Sequence, residues 1–136
     1  MAQDDREQES ARPSRRPPSL LPAGASLMTI GNLRLAIPHV LPDELITTLA
    51  EGKGARIERI VSRGHTSDPG FWYDQEEDEF VLVTQGHARV EVEEQGELDL
   101  RAGDYLVLPA HVKHRVKWTD PAQDTVWLAV FYRDSE

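Results

Sequence analysis

The sequence predicts an all-β fold, an antiparallel sandwich or barrel of short strands, with one short helix and a disordered tail at the N-terminus. Three observations carry this. From residue 55 onward, apolar residues recur with a period of two in seven consecutive segments, the signature of half-buried strands. Turn residues (Gly86, Gly96, Gly103 and Pro121 with its neighbours) punctuate those segments at the short spacing of sandwiches and barrels. Residues 1–28, by contrast, hold four of the nine prolines, four serines and no periodic apolar pattern.

Taken in order, the tail comes first. "RPSRRPPSLLPAG" cannot sustain a helix or a central strand, so residues 1–28 read as disordered, with Arg12, Arg15 and Arg16 solvated, and residues 29–136 as one folded domain. Met28 opens the patterned region and is a candidate translation start, which an intact mass of the native protein decides. "LPDELITTLAEG" (41–52) reads as the helix: Asp43 sits at its cap or first turn, Leu45, Ile46 and Leu49 share a helical face, and Gly52 ends it. The strands follow at 55–63, 79–86, 87–94, 97–104, 105–110, 113–119 and 125–133.

Alternation also assigns faces, because side chains two apart in a strand point the same way. Val90 and Val92 oppose Arg89, Glu91 and Glu93, and Leu98 and Leu100 oppose Asp99 and Arg101. In "KHRVKW", His114, Val116 and Trp118 share the inward face. His111, three residues from His114, joins it only if the turn after Pro109 reorients it. "TVWLAVFYR" is apolar on both faces, so one fills the barrel and the other needs cover, from the helix or from a second subunit.

Composition bounds the function. A chain of 136 residues with 39% hydrophobic and 29% charged residues suits one soluble domain with a modest core. No apolar run approaches the roughly 20 residues that span a bilayer, and the first residues lack a signal-peptide pattern. With no cysteine, disulfides, thiolate catalysis and cysteine-ligated zinc are excluded, and a cytoplasmic protein is the expectation. Net charge is −9, and beyond residue 28 twenty acidic residues face eleven basic ones. Such a surface repels phosphate backbones and anionic membranes, so neither nucleic acid nor membrane is an expected partner.

The glycines, glutamate, proline and histidine together resemble the cupin superfamily, whose fold is a small double-stranded β-helix, or jelly-roll barrel. Its first motif runs G, five residues, H-x-H, three or four residues, E, six residues, G; here Glu79, "FVLVTQ" and Gly86 match the second half. Its second runs G, five residues, P-x-G, two residues, H, three residues, N; here Gly103, "DYLVL", Pro109 and His114 match the spacing. The resemblance covers about residues 29–133 and looks like small single-domain bacterial cupins carrying "FWYDQ" and "HRV" segments. The departures concern the metal. The H-x-H is missing: its first histidine would fall at Trp72 or Tyr73 and its second at Asp74 or Gln75, in "FWYDQ". His111 stands in place of the motif glycine, and Trp118 in place of the asparagine.

The resemblance implies ligands converging inside one end of the barrel. Glu79 leads a strand apolar on both faces, where a carboxylate needs a partner, and His114 or a metal would supply it. Glu79 and His114, with Gln75, Asp74 or His111, would make a three- or four-ligand site for iron, manganese, nickel or zinc. Alternatively, Glu79 and His114 form a hydrogen-bonded pair in a pocket without metal. Tyr73 is the candidate catalytic group, as a proton carrier. His65 and His87 read as a loop residue and an exposed residue, and Glu76, Glu77 and Asp78 as a solvated acidic loop. Two functional readings stand: a metalloprotein acting on or sensing a small polar organic molecule, or a non-catalytic module binding a small ligand or a protein at the barrel mouth. A purely structural dimer is a third. A homodimer is expected, and the reaction class is not legible, because one fold hosts many.

Overall fold

The computed structural model describes residues 27–133; the proline-rich tail expected over 1–28 falls almost wholly outside the described residues. The chain divides between Ile37 and Pro38. In the described part of the first unit, a turn closes where the Leu35 amide donates to the Asn32 carbonyl at 3.2 Å and the Arg34 amide to Asn32 Oδ1 at 2.8 Å.

The second unit carries eight strands: β1 Leu45–Gly52, β2 Ala55–Ser62, β3 Asp78–Gln85, β4 His87–Val92, β5 Gly96–Arg101, β6 Tyr105–Leu108, β7 His114–Thr119 and β8 Thr125–Tyr132. They form a five-stranded sheet ordered β1-β2-β8-β3-β6 and a three-stranded sheet ordered β5-β4-β7, with every pairing between neighbours antiparallel. The period-two segments match β2 to β8 to within a few residues. The inner face of the larger sheet presents Val81 and Val83 of β3 and Trp127, Ala129 and Phe131 of β8; the smaller sheet presents Val90, Val92 and Leu100, and together these make the core. Among the described residues, no helix is long and apolar enough to cross a membrane.

The helix expected over 41–52 is instead β1. The Leu45, Ile46 and Leu49 spacing suits a helix, but Ile46, Thr47 and Thr48 are successive β-branched residues, which lose side-chain freedom in a helix and favour a pleated strand. The decisive signal is "GKG". Gly52 pairs with Ala55 across the two-residue turn Lys53–Gly54, and Gly54 takes φ 76°, so the glycines turn a hairpin rather than stop a helix.

A second departure lies in β7. The β4–β7 register shifts between Arg89 and Val90, leaving Lys117 as the extra residue. His114 and Val116 point inward as expected, but the bulge turns Trp118 outward and buries Thr119 at 1% exposure. Trp118 packs against His87, edge to face at 4.9 Å, and beneath the Arg89 guanidinium at 4.7 Å. His87 is therefore half-buried rather than exposed, with Nε2 2.8 Å from Asp99 Oδ1.

Candidate functional site: a carboxylate-lined cavity between the sheets

A cavity of about 250 Å³ opens between the sheets, toward the end where β3 begins and β8 finishes. Strand alternation builds it. Glu79 and Val81 of β3 face inward opposite Leu108 and Leu106 of β6. Arg56, Glu58 and Ile60 of β2 lie on the same face, register partners of Phe131, Ala129 and Trp127. The smaller sheet closes the cavity with Val90, His114 and Val116.

The polar end centres on His114 and Glu79, which are 7% and 6% exposed. Their side chains meet with His114 Nε2 3.4 Å from Glu79 Oε1. The other ring nitrogen, Nδ1, lies 3.1 Å from the Val112 carbonyl and can only donate there, which directs Nε2 at the carboxylate. Burial disfavours charge on His114, but the Glu79 hydrogen bond, the Val112 carbonyl and the Glu79 charge outweigh it and raise its pKa. Gln75 Nε2 donates to the same Glu79 oxygen at 3.3 Å.

The segment 71–75 runs beside the start of β7. Tyr73 and His114 bond through both backbone groups, Tyr73 N to His114 O at 2.8 Å and His114 N to Tyr73 O at 3.2 Å. This bridge puts the Tyr73 ring over the imidazole, stacked at 5.3 Å. Burial first, then the charges of Glu44 and Glu79, raise the Tyr73 pKa, so its phenol stays protonated. The alternation also resolves the positions left open by the missing H-x-H: Tyr73 and Gln75 line the cavity, while Trp72 lies beneath the Arg115 guanidinium at 5.7 Å and Asp74 is elsewhere. The set at the polar end is thus Tyr73, Gln75, Glu79 and His114.

Asp74 and His111 do not join it. They pair with each other, Asp74 Oδ1 to His111 Nδ1 at 2.8 Å, with side chains 43% and 64% exposed. The turn after Pro109 does reorient His111, at φ 66°, but toward Asp74 rather than His114. A left-handed backbone at this position explains why the related motif carries glycine there. His65, half-buried, is held by local backbone, its Nδ1 accepting from the Arg63 amide and its Nε2 facing the Pro42 carbonyl. In the acidic run, Glu77 accepts from Arg56 and Asp78 from the Ala110 amide.

Three charged cavity residues were not singled out from the sequence: Glu44, Arg56 and Glu58. Alternation in "ARIERIVS" does place Arg56, Glu58 and Ile60 on one face, but both faces carry an isoleucine, so it does not say which is inside. Arg56 meets three groups, with Nε 2.7 Å from Glu58, a terminal nitrogen 3.1 Å from Glu77, and the guanidinium 4.4 Å above the Phe131 ring. Hydrogen bonding to Glu58, against the cost of burial, raises its pKa. Glu44 accepts one bond, from Ser62 Oγ at 2.8 Å.

The donor set does not fit a resident divalent metal. A first-row site without cysteine ordinarily draws three or more ligands from imidazole and carboxylate. Here one imidazole and one carboxylate converge, beside a protonated phenol and the neutral Gln75 amide, whose NH₂ donates to Glu79. Among the described residues, no group of three or more histidine and acidic side chains is placed to hold an ion.

The fold and this polar end define a protein class that comparison makes explicit. The Cupin domain family matches residues 59–131, and the chain belongs to the cupin superfamily. A protein of Ralstonia eutropha, provisionally described as a mannose-6-phosphate isomerase, is 47% identical, with a TM-score of 0.76 over 79% of this chain and all of that one. A cupin superfamily protein of Desulfitobacterium hafniense is 22% identical, with a TM-score of 0.60 over 72% and 84% of the two chains. KdgF from Halomonas sp. is 24% identical, with a TM-score of 0.58 over 72% and 87%. No curated protein matches.

Proposed function

We propose that this protein binds a small polar organic molecule in the barrel cavity without a resident metal, and that Glu79 and His114 form its proton-carrying pair. The buried His114–Glu79 contact at the polar end of an otherwise largely apolar cavity carries this reading. Apolar walls take up the ligand's carbon skeleton, and a few convergent polar groups orient its head, the usual division of labour in a small-molecule site. Val112 fixes the imidazole, Gln75 holds the carboxylate, and the 3.4 Å contact of His114 Nε2 with Glu79 Oε1 is where a proton would be shared. A ligand group replacing either partner in that contact can take or supply this proton, which is acid–base chemistry or charge-sensitive binding. The isomerase description of the Ralstonia protein agrees with a proton-transfer site. The absence of cysteine agrees with the cytoplasm as its location.

Elemental analysis tests the metal part. Protein purified without chelator is expected to carry far less than one equivalent of iron, manganese, nickel or zinc, and to gain no thermal stability from any of them. A stoichiometric ion lost in both Glu79→Gln and His114→Ala would restore the metalloprotein reading instead.

The same proposal includes a homodimer. On the outer face of the larger sheet, Phe80 packs against Tyr105 with ring centres 5.3 Å apart, while Tyr105 and Val107 are 61% and 53% exposed. A second copy laid on this face would remove that apolar surface from water. Sedimentation at tens of micromolar is expected to give twice the chain mass; a monomer there ends the idea.

A further inference from the structure

Resting on the cavity reading above, we propose a ligand class: a small organic cation, an amine or quaternary ammonium, held between Glu44 and Glu79 beside the Tyr73 ring. Cavity, charge and aromatic surface point the same way. Three carboxylates line the space, against one guanidinium and one imidazole. The guanidinium's single charge is already answered by two carboxylates, Glu58 and Glu77, and its plane lies over the Phe131 ring. His114 answers Glu79. Of the three, the carboxylate left without a cation among the described residues is Glu44, which accepts a hydrogen bond from the neutral Ser62 hydroxyl. A charge so placed in a partly desolvated cleft attracts a cation more strongly than it would in bulk water.

The walls suit the same class. Tyr73, Trp127 and Phe131 all border the cavity. Aromatic faces attract cations through their quadrupoles, and carboxylate-flanked aromatic surfaces are a recurrent answer to ammonium groups. The Arg56 guanidinium over Phe131 is an internal instance of that attraction. Trp127 is held rigid by its Nε1–H, which donates to Ser62 Oγ at 3.1 Å, and that same serine donates to Glu44. One hydroxyl thus fixes both an aromatic wall and the uncompensated carboxylate. A phosphate ester, by contrast, would bring two negative charges among three carboxylates, with the Arg56 charge already answered by Glu58 and Glu77.

Isothermal titration with choline, with 3,3-dimethyl-1-butanol as its uncharged carbon analogue, and with mannose 6-phosphate tests the class. Binding sites are mapped by chemical shifts of His114 and Trp127. Choline is expected to bind at least about tenfold more tightly than the neutral analogue, to weaken as salt rises, and to lose about tenfold in Glu44→Gln. Glu44 is at the cavity edge, and unchanged thermal unfolding of that variant confirms its fold. If the neutral analogue or the phosphate binds as tightly as choline, or Glu44→Gln changes nothing, the cationic class is wrong while the cavity site stands. If no compound of any charge shifts His114 or Trp127, the cavity reading falls with it.

Discussion

Gly86→Ala is expected to be the most damaging single-methyl change in this chain, costing about 4 kcal/mol and leaving little folded protein. Gly86 is the lone residue between β3 and β4 and takes φ 99°, a conformation that L side chains rarely adopt. A Cβ there would lie 2.5 Å from both Thr125 Cα and Thr125 Oγ1, and 2.7 Å from the Asp124 carbonyl. Two of these atoms are backbone, so no rotamer change relieves the clash. The displaced group is also structural: Thr125 is fully buried, and its hydroxyl lies 3.2 Å from the His87 amide and the His87 carbonyl, pinning the start of β4. Gly103 is the internal control. Its φ is 97°, but its missing Cβ would meet nothing within 4 Å. Gly103→Ala should therefore cost only the backbone strain, about 1–2 kcal/mol. Urea denaturation of the two variants checks the contrast; equal losses would mean that the close approach to Thr125 contributes nothing.

His114→Ala is expected to cost about 3 kcal/mol, because it leaves the Glu79 carboxylate 6% exposed with only the Gln75 amide to meet it. It also strips the ring from beneath Tyr73. The sharper signature is in pH. The folded-state pKa of His114 is raised above its unfolded value, so the imidazole's contribution is complete below about pH 6.5 and is lost as pH rises through the folded pKa. Glu79→Gln removes two of the three influences that raise it and leaves burial, the largest single influence, opposed only by the Val112 carbonyl. The pKa is then expected to fall below the unfolded value, which reverses the sign. Above about pH 6.5 the wild-type contribution from His114 declines, whereas in Glu79→Gln the contribution grows as pH rises toward about 6.5 and is flat beyond it. The groups near this ring are Glu79, Gln75 and Tyr73, with Glu44 near Tyr73; Tyr73, its pKa raised, does not titrate between about pH 5.5 and 8. Denaturation midpoints across the window, with His114 titrated by NMR in both proteins, read the effect directly. A His114 pKa unmoved by Glu79→Gln would show that the contact carries no proton.

Much of this architecture was legible without coordinates. Seven strand segments follow from period-two alternation, because a strand's faces are set by its own pleat and need no knowledge of its neighbours. Gly86 and Gly103 announce their turns, since their backbone angles exclude most other residues. Glu79 and His114 are recognisable as the buried polar pair, one leading a strand apolar on both faces and the other on an inward face, within spacings shared with a known family.

What local pattern could not decide was whatever depends on a partner strand or on the return of the chain. Residues 45–52 are ambiguous alone, and pairing with β2 across Lys53–Gly54 makes them a strand. Trp118 changed sides because a bulge at Lys117 is a property of the β4–β7 register, not of β7. Tyr73 and Gln75, rather than Trp72 and Asp74, reached the cavity because Tyr73 bridges His114 through the backbone, forty-one positions on. Asp74 and His111 found each other for the same reason and left the site. The sequence by itself determined that a β-barrel would form around a buried carboxylate and imidazole, since burial and alternation are local demands. The tertiary structure alone decided which side chains accompany them, because register and chain crossing bring together residues that no local period relates.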